Sequence, residues 1–393
     1  MGRVVDAVPA YLTVFLAAAL TTFVTTPVVR RLAIRLGAVA HPSDRRVHPV
    51  ATPTMGGVAM WLGFLVALGI SQWLPFFDQM NAHSPEPVAA LVTCSLMVGL
   101  GAIDDKREIS YLTKLTAQIF IAGVLALLGV LLTYLWFPPN DVLVLSQDIG
   151  TILAIVWVVV VANAVNLVDG LDGLAAGMVA IAAAAFFVFM VRAPTSFDDA
   201  SAAGLLSAIT AGICLGFLPW NFHPAKIFMG DTGAMLLGML LSIATISGVG
   251  RNPYPPVPGD FAVIAGAVLV PFLVLFVPFL DVALAVLRRT RRRQSLGTPD
   301  KEHLHHRLLD IGHSHRRAVL LMYLWSALLS GSGLAVGLIN GRFAVGLILM
   351  GALALFLVTL LPQLLERRRS NSEGYGEHER RSRTVRAGDG RAS

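Results

Sequence analysis

Cysteine is nearly absent from this sequence, because its 393 residues include only Cys94 and Cys214. These two residues lie in separate apolar segments, so the sequence indicates neither a disulfide framework nor a metal site built from thiolates. We expect both side chains to be small, buried, apolar parts of the core. The sequence also contains no internal repeat.

Charge is scarce as well. Charged residues make up 14% of the chain, hydrophobic residues make up 55%, and the mean hydropathy is +0.71. These values exclude a water-soluble globule. Apolar runs of roughly 17 to 27 residues match the length that a helix needs to cross the hydrocarbon layer, which predicts an all-α, polytopic membrane protein of about eleven transmembrane helices. The predicted spans are 8 to 29, 55 to 75, 87 to 103, 115 to 136, 149 to 167, 173 to 192, 201 to 219, 232 to 249, 261 to 287, 317 to 339 and 343 to 363.

No polar stretch is long enough to form a separate soluble domain. We therefore predict one membrane domain, 1 to 365, followed by an Arg-rich tail, 366 to 393, whose low apolar content predicts disorder. The first apolar segment precedes its basic residues and lacks a convincing cleavage site, so it is predicted to be a membrane helix and not a signal peptide.

The distribution of Lys and Arg predicts the orientation. When loops are assigned alternately to the two sides, one side holds 25 of the 30 basic residues. Cytoplasmic loops retain positive charge, so the amino terminus is predicted to lie outside and the tail to lie in the cytoplasm. The net charge of +6 follows from these loops and indicates contact with anionic lipid headgroups. Nucleic-acid binding is not needed to explain it.

Polar residues gather in four clusters on the predicted cytoplasmic side. Carboxylates at a membrane edge cost free energy unless they have partners, so they mark functional sites. One site facing the cytoplasm is therefore predicted. The alternative class, a transporter or flippase for lipid-linked sugars, would place its polar residues near the bilayer midplane. The clusters are Asp104 with Asp105, Asp169 with Asp172, Asp231, and His303 with His305 and His306.

Each cluster also has a structural alternative. Asp172 and Asp231 each precede a helix start and could simply cap it, although the same geometry offers amides and a positive dipole end to a phosphate. Adjacent Asp104 and Asp105 cannot share one helix face, so one could bind a cation while the other takes a proton. The histidines could form a hydrated basic loop or a zinc site. The many aspartates favour Mg²⁺, which carboxylates and substrate phosphates hold together.

Six ordered motifs carry a resemblance to a known family. They are RRVHPVATPTMGG (45 to 57), DDK (104 to 106), NAVNLVDGLDGL (163 to 174), KIFMGDTGA (226 to 234), PFLD (278 to 281) and TPDKEHLHHRLL (298 to 309). Together they resemble the polyprenyl-phosphate N-acetylhexosamine-1-phosphate transferases, the family that contains WecA, TagO and MraY. The resemblance covers nearly all of the chain as far as the start of the tail.

The resemblance implies a multi-pass enzyme of the bacterial plasma membrane that forms a homodimer and uses Mg²⁺, with Mn²⁺ as a substitute. Such an enzyme transfers a sugar 1-phosphate from a UDP-sugar to decaprenyl or undecaprenyl phosphate and releases UMP. The HLHHRLL loop favours UDP-N-acetylglucosamine as the donor. Because PTMGG is closer to the muramoyl-pentapeptide transferases, UDP-N-acetylmuramoyl-pentapeptide is the alternative donor.

The resemblance also implies the roles of the acidic residues. Asp231 is expected to be the principal magnesium ligand, and Asp105 is expected to support it or the neighbouring base. Asp104 is expected to deprotonate or orient the lipid phosphate. Asp169 and Asp172 are expected to position the nucleotide and the acceptor.

A second group of residues is expected to bind the substrates. In this group the ring of Phe228 is expected to stack on uracil, and Lys226 is expected to lie near the diphosphate. The histidine motif is expected to contact the diphosphate and the sugar. The full group is Arg46, His48, Asn163, Asn166, Lys226, Phe228, His303, His305, His306 and Arg307.

Overall fold

The computed structural model describes residues 2–40, 51–137, 141–192, 200–251, 313–338, 346 and 348–359. In this part of the chain the backbone is almost entirely helical, as the apolar composition predicts. Several predictions fall elsewhere. The predicted span 261 to 287, the tail 366 to 393, and the site residues Arg46, His48, His303, His305, His306 and Arg307 lie outside the described residues.

Helices are numbered here along the described chain. They are α1 (Gly2–Arg35), α2 (Gly57–Ser71), α3 (Asp78–His83), α4 (Glu86–Arg107), α5 (Tyr111–Leu127), α6 (Gln147–Val168), α7 (Leu174–Arg192), α8 (Ala202–Asn221), α9 (Gly230–Thr245), α10 (His315–Leu338) and α11 (Ile348–Thr359). A 3-10 turn at Pro75–Phe77 precedes α3, and a π-helical turn at Ile246–Gly250 extends α9. Two antiparallel hairpins pair β1 (Val39–Ala40) with β2 (Thr52–Pro53) and β3 (Tyr134–Phe137) with β4 (Asp141–Val144).

Six of these helices are long and apolar enough to cross a membrane, namely α1, α4, α6, α7, α8 and α9 with its π turn. The pair formed by α2 and the segment Pro75–His83, which bends by 86°, would make a seventh span. Every predicted span except 261 to 287 overlaps a helix. The prediction of a helical, polytopic membrane protein is therefore confirmed.

The predicted span 115 to 136 is wrong at its end, because α5 stops at Leu127. Gly129 adopts a left-handed backbone with a φ of +91°. The amide of Gly129 donates to the carbonyl of Ala126, and the amide of Val130 donates to the carbonyl of Leu125. Glycine in this conformation with these two bonds is a common helix terminator. Hydropathy alone did not reveal the stop, since the residues that follow are also apolar.

Helix α9 lies at the centre of the helical bundle. Its apolar stretch is 89% buried, whereas that of α1 is 28% buried. It packs against α2, α4, α6 and α8. Beyond its π turn, the Arg251 guanidinium lies 2.6 Å from the buried carboxylate of Glu86 in the first turn of α4. This ion pair holds one end of α9, and the carboxylate cluster described below holds the other.

Glycine permits the closest helix contacts. Gly212 and Gly216 lie four positions apart on α8, where a Cβ on Gly212 would stand 2.5 Å from the Phe15 carbonyl oxygen of α1. A Cβ on Gly216 would collide with the carbonyl oxygen of Ala19. Small residues at this spacing let membrane helices approach backbone to backbone. The buried cysteines, Cys94 and Cys214, fill the core as expected.

The start of α9 is enclosed in the same way. A Cβ on Gly57, the first residue of α2, would collide with the backbone of Gly233. A Cβ on Gly101 of α4 would lie 2.5 Å from the Cα of Thr232. Both neighbours are backbone atoms, which cannot move aside as a flexible side chain could. Glycine at these two positions therefore fixes where the first turn of α9 can sit.

We predict that Gly57→Ala destabilises the protein. The new methyl group must displace the backbone of α9, and overpacking of this kind costs about 1–3 kcal/mol. Gly69→Ala is the matched control, because Gly69 is in the same helix and, among the described residues, no atom outside the local helix backbone lies within 4 Å of its Cβ position. Thermal unfolding in detergent should show a lower midpoint for Gly57→Ala alone. Equal midpoints for the two variants would contradict the close packing described here.

Candidate active site

The first turn of α9 is fixed by backbone pairing with the segment before α2. The amide of Phe228 donates to the carbonyl of Pro53 at 2.8 Å. The amides of Gly56 and Gly57 donate to the carbonyls of Phe228 and Met229 at 2.9 and 3.0 Å. Two of the motifs recognised in the sequence, PTMGG and FMGD, are thus joined by main-chain hydrogen bonds. The backbone that carries the side chains at the start of α9 is consequently held in place.

Asp105 of α4 holds the same turn through its carboxylate. Its Oδ1 accepts from the Asp231 amide at 2.9 Å and from Thr54 Oγ1 at 3.2 Å. Its Oδ2 accepts from Thr232 Oγ1 at 2.6 Å and from the Thr232 amide at 3.2 Å. Gly230, with a φ of +68°, has no side chain, and a Cβ there would collide with this carboxylate. Asp105 therefore caps α9 from a neighbouring helix.

These contacts bear on two predictions, the capping of α9 by Asp231 and the binding of a metal ion by Asp105. Asp231 does not cap α9, because the helix already begins at Gly230, no side chain caps it from position 229, and Asp231 Oδ1 is bonded to Lys114 and Asn166. Both oxygens of Asp105 already accept hydrogen bonds. The contacts thus give Asp105 a positioning role, and its role as a metal ligand stays a prediction.

Lys114 joins Asp104 to Asp231. Its Nζ lies 2.8 Å from Asp104 Oδ2 and 2.7 Å from Asp231 Oδ1, and its side chain is 12% exposed. The other oxygen of Asp104 accepts from the Ile109 amide at 2.9 Å. As predicted, Asp104 and the adjacent Asp105 face different neighbours. Asp104 contacts the Lys114 ammonium, and Asp105 accepts hydrogen bonds from backbone amides.

Sequence reasoning missed Lys114. Its signal was nevertheless present, since Lys114 is the single charged residue in the long apolar run between Glu108 and Asp141. A lone ammonium near the start of an apolar helix needs an anionic partner close to hydrocarbon. Asp104 and Asp231 are those partners.

The two asparagines of α6 have different surroundings. The Asn166 amide nitrogen donates to Asp231 Oδ1, so Asn166 belongs to the cluster around Lys114. Asn163, one turn away along the helix, donates to Gln118 Oε1 and to the Val159 carbonyl, both at 2.7 Å. The Asn163 amide group thus joins α6 to α5. Its predicted contact with substrate stays a prediction.

Asp169 follows the last residue of α6 and lies among other carboxylates. Burial, followed by the negative charges of Asp231, Asp105 and Asp172, raises the pKa of Asp169 from 3.8 to about 8. These neighbours bring three of the four predicted clusters into one electrostatic environment. The fourth, the histidine motif, lies outside the described residues.

Asp172, which is 3% exposed, joins the turn after α6 to two other segments. Its Oδ2 lies 2.7 Å from His223 Nδ1 and accepts from the Ala225 amide at 3.1 Å. Its own amide donates to His315 Nε2 at 3.1 Å, and His315 is the first residue of α10. These bonds tie Asp172 to the loop after α8 and to α10. The described contacts therefore do not support the alternative in which Asp172 simply caps α7.

Lys226 and Phe228 lie on either side of the buried Ile227. The exposed Lys226 holds its Nζ 5.1 Å from the centre of the Trp220 ring, and its carbonyl accepts from Arg30 Nε at 2.9 Å. Its ammonium thus lies over a ring of α8 and takes part in none of the described ion pairs of the carboxylates. The partly buried Phe228 is held by its backbone, as given above. Stacking of its ring on uracil and the contact of Lys226 with a diphosphate stay predictions.

The donor set of the cluster fits a hard divalent cation. Four carboxylates, from Asp104, Asp105, Asp169 and Asp231, stand near one ammonium group, that of Lys114. The Asp231 side chain is 28% exposed, so an ion could reach it from water. Magnesium prefers oxygen ligands of this kind and keeps several waters. Burial is the largest cause of the raised pKa of Asp169, and the negative charges of its neighbours, which such an ion would offset, add to it.

Comparison with known proteins identifies the family of this chain. The family described as Glycosyl transferase family 4 matches residues 87–249, which run from α4 to the π turn after α9. A decaprenyl-phosphate N-acetylglucosaminephosphotransferase of Mycobacterium leprae is 43% identical over 369 residues, 91% of this chain and 90% of the relative. The chain belongs to Glycosyl transferase family 4.

Other members of family 4 are also similar. A probable undecaprenyl-phosphate N-acetylglucosaminyl 1-phosphate transferase of Bacillus subtilis is 33% identical over 82% of this chain and 84% of its own length. A phospho-N-acetylmuramoyl-pentapeptide-transferase of Desulforudis audaxviator is 32% identical over 79% of this chain and 92% of its own length. With its apolar spans and bacterial relatives, this family 4 member is a multi-pass bacterial membrane protein.

We predict that Asp169→Asn changes how the stability of the metal-free protein depends on pH. The folded pKa of about 8 exceeds the ordinary value of 3.8, so the folded state holds this proton more tightly than the unfolded state does. The free energy of unfolding should therefore fall as the pH rises from about 4 to about 8, and the variant should lose this dependence.

The measurement is thermal unfolding in detergent with a chelator, at about pH 5 and about pH 8, two points within that window. The midpoint of Asp169→Asn relative to wild type should rise between the two. Asp148→Asn, which changes an exposed carboxylate at the opposite end of α6, should follow wild type. Parallel pH profiles for wild type and Asp169→Asn would contradict the prediction.

Proposed function

We propose that this protein transfers N-acetylglucosamine 1-phosphate from UDP-N-acetylglucosamine to a polyprenyl phosphate and releases UMP. The observation that carries the proposal is the bridge from Asp104 through Lys114 to Asp231, with Asn166 on the same carboxylate oxygen. Phosphoryl transfer requires little covalent chemistry from the protein and depends on positioning and on neutralising charge. A rigid cluster of carboxylates around one ammonium group is suited to that task.

In the proposed reaction a lipid phosphate oxygen attacks the phosphorus atom that carries the sugar. The bond from that phosphorus to the phosphate oxygen of UMP breaks, and UMP departs with its electrons. Asp104 would orient the lipid phosphate or take its proton, and Lys114, 2.8 Å from Asp104, would attract the same phosphate. We favour this direct attack over a covalent intermediate on an aspartate.

Asp231 would hold Mg²⁺, with Mn²⁺ as a substitute. Its side chain is part-exposed, and its Oδ1 is shared by Lys114 and Asn166, which orient the carboxylate. Magnesium, when bound, supplies positive charge to the diphosphate of the donor. Asp105 keeps the first turn of α9 in place, so the position of Asp231 depends on it. Asp169 and Asp172 would position the nucleotide and the acceptor.

The lipid acceptor and the nucleotide donor follow from the relatives. The mycobacterial relative, at 43% identity, is named for decaprenyl phosphate and N-acetylglucosamine, whereas the muramoyl-pentapeptide transferase is 32% identical. The higher identity supports UDP-N-acetylglucosamine as the donor and a decaprenyl or undecaprenyl phosphate as the acceptor. UDP-N-acetylmuramoyl-pentapeptide is the alternative donor.

For the membrane arrangement we propose eleven spans in one domain, with the amino terminus outside and the tail in the cytoplasm. The carboxylates lie at the same end of the helices as Arg30 and Lys226, and the Glu86–Arg251 pair lies at the other end of α4 and α9. The side richer in basic residues is the cytoplasmic side by the positive-inside rule. Proximity of the site to the inner surface suits a soluble nucleotide donor. A homodimer is proposed on the family resemblance alone.

The reaction is tested by measuring UMP release from purified protein in detergent with Mg²⁺ and a polyprenyl phosphate. The two donors are compared under identical conditions. We expect release with UDP-N-acetylglucosamine and none with UDP-N-acetylmuramoyl-pentapeptide. Release with UDP-N-acetylmuramoyl-pentapeptide alone would show that the protein carries out the muramoyl reaction. No UMP release with either donor would favour the transporter alternative.

A second prediction concerns Asp231. Asp231→Asn removes the charge that faces Lys114 and the proposed ion, so UMP release should fall by at least about a hundredfold, the scale of losing one preorganised electrostatic group. Thermal unfolding should show that the variant still folds. Asp148→Asn, far from the cluster, should release UMP at the wild-type rate. Substantial activity in Asp231→Asn would remove the basis for its magnesium role.

A further inference from the structure

Gln118 and Asn163 form a second polar pair, about one helical turn away from the residues that bind Asp231. Gln118, in the apolar helix α5, is fully buried, and its Oε1 accepts from Asn163 Nδ2 at 2.7 Å. Gln118 comes four residues after Lys114, and Asn163 comes three residues before Asn166. Residues at these spacings lie on the same side of a helix, about 6 Å and about 4.5 Å apart along its axis. The pair therefore lies behind the two groups that contact Asp231.

The Val159 carbonyl fixes the orientation of both amide groups. Asn163 Nδ2 donates to that carbonyl at 2.7 Å as well as to Gln118. A carbonyl oxygen needs a donor, so the Asn163 amide cannot be reversed, and the oxygen of Gln118 must then face Asn163. Gln118 Nε2 has no hydrogen-bond partner among the described residues. A buried donor without a partner costs free energy, so stability alone does not account for a glutamine at this position.

The contacts of Asp231 show what this pair can position. Lys114 Nζ, from α5, and the Asn166 amide, from α6, both donate to Asp231 Oδ1. Two donors from different helices can share one oxygen only while α5 and α6 keep a fixed register. The Gln118–Asn163 hydrogen bond joins these two helices directly. Because it lies within about one turn of both donors, it restrains the distance between them.

We propose that Gln118 is a positioning residue that, through Asn163, holds Lys114 and Asn166 on Asp231 Oδ1. The inference rests on the proposed transferase reaction, in which Asp231 holds the metal ion. Gln118 is fully buried, so it acts through its partner and not on a substrate. A displacement of about 1 Å at a reaction site can slow an enzyme about a hundredfold, so a small change of register is enough to affect turnover.

The test compares Gln118→Leu with Gln118→Asn, with Asn163→Gln, and with the exchanged pair that carries both amide changes. Gln118→Leu removes the acceptor, and it replaces the unpaired N–H of Gln118 with one on Asn163. Its unfolding midpoint in detergent should therefore stay close to that of wild type. The exchanged pair keeps an amide–amide hydrogen bond and the summed length of the two side chains. Thr116→Val is the control, because the exposed Thr116 hydroxyl donates to a carbonyl within α5.

We expect the kcat of UMP release to fall about tenfold or more in Gln118→Leu and in each single amide variant, since the donors on Asp231 are displaced. The KM for UDP-N-acetylglucosamine should change little. The exchanged pair should recover most of the lost activity, because residues in contact have coupled effects. An unchanged kcat in Gln118→Leu would overturn the proposal, and so would an exchanged pair as slow as its single variants. A lower unfolding midpoint in Gln118→Leu would assign the residue to stability instead.

A second measurement tests the positioning without the reaction. Acetic anhydride labels lysine amines, and Lys114, which is 12% exposed and paired with two carboxylates, should react slowly. Mass spectrometry compares its labelling with that of the exposed Lys106. The ratio should rise in Gln118→Leu and keep its wild-type value in Thr116→Val, and an unchanged ratio in Gln118→Leu would contradict the proposal. If wild type released no UMP, the proposed reaction would fail, and this ratio would still decide whether Gln118 positions Lys114.

Discussion

Asp105 accepts hydrogen bonds from the first amides of α9, and the other groups of the carboxylate cluster depend on that interaction. The start of a helix leaves amides without intrahelical partners, and in a buried helix these cost free energy unless something accepts from them. Here the acceptor is the Asp105 carboxylate of α4, and Thr54, in the segment before α2, donates to the same carboxylate. Asp231 is the second residue of the turn so held. Its distances to Lys114 and Asn166 therefore follow from the Asp105 contact and not from its own side chain.

The two neighbouring aspartates of α4 thus make different contacts. Adjacent positions on a helix point about 100° apart, so Asp104 and Asp105 reach different partners by geometry alone. One carboxylate meets the Lys114 ammonium, and the other meets backbone amides. The same division appears around the turn after α6, where Asp169 faces the carboxylates and Asp172 faces two histidines. In each pair one acidic group faces other charged groups of the cluster, and the other joins segments of the fold.

Much of this architecture could be predicted from the sequence, because a helix that crosses lipid must be long and apolar and its charged residues gather at its ends. Apolar length predicted the helices, and charges at helix ends predicted Asp104, Asp105, Asp169, Asp172 and Asp231 as one neighbourhood. The partners that each side chain contacts were harder to predict. Asn163 and Asn166 share a motif, yet of the two Asn166 alone contacts Asp231, since a three-residue step moves a side chain about 4.5 Å along the helix axis. Lys114 was missed because Asp231, one of its two partners, lies 117 residues further along the chain. The extent of α5 was misjudged because one glycine, in an apolar context, ends the helix.

Helix α9 is restrained at its amino-terminal end by Asp105 and at its carboxyl-terminal end by the Glu86–Arg251 pair. The helix therefore cannot slide or tilt without breaking one of these two attachments. A rearrangement that leaves both of them intact must come from other segments, such as the turn around Gly170 and the loop around His223.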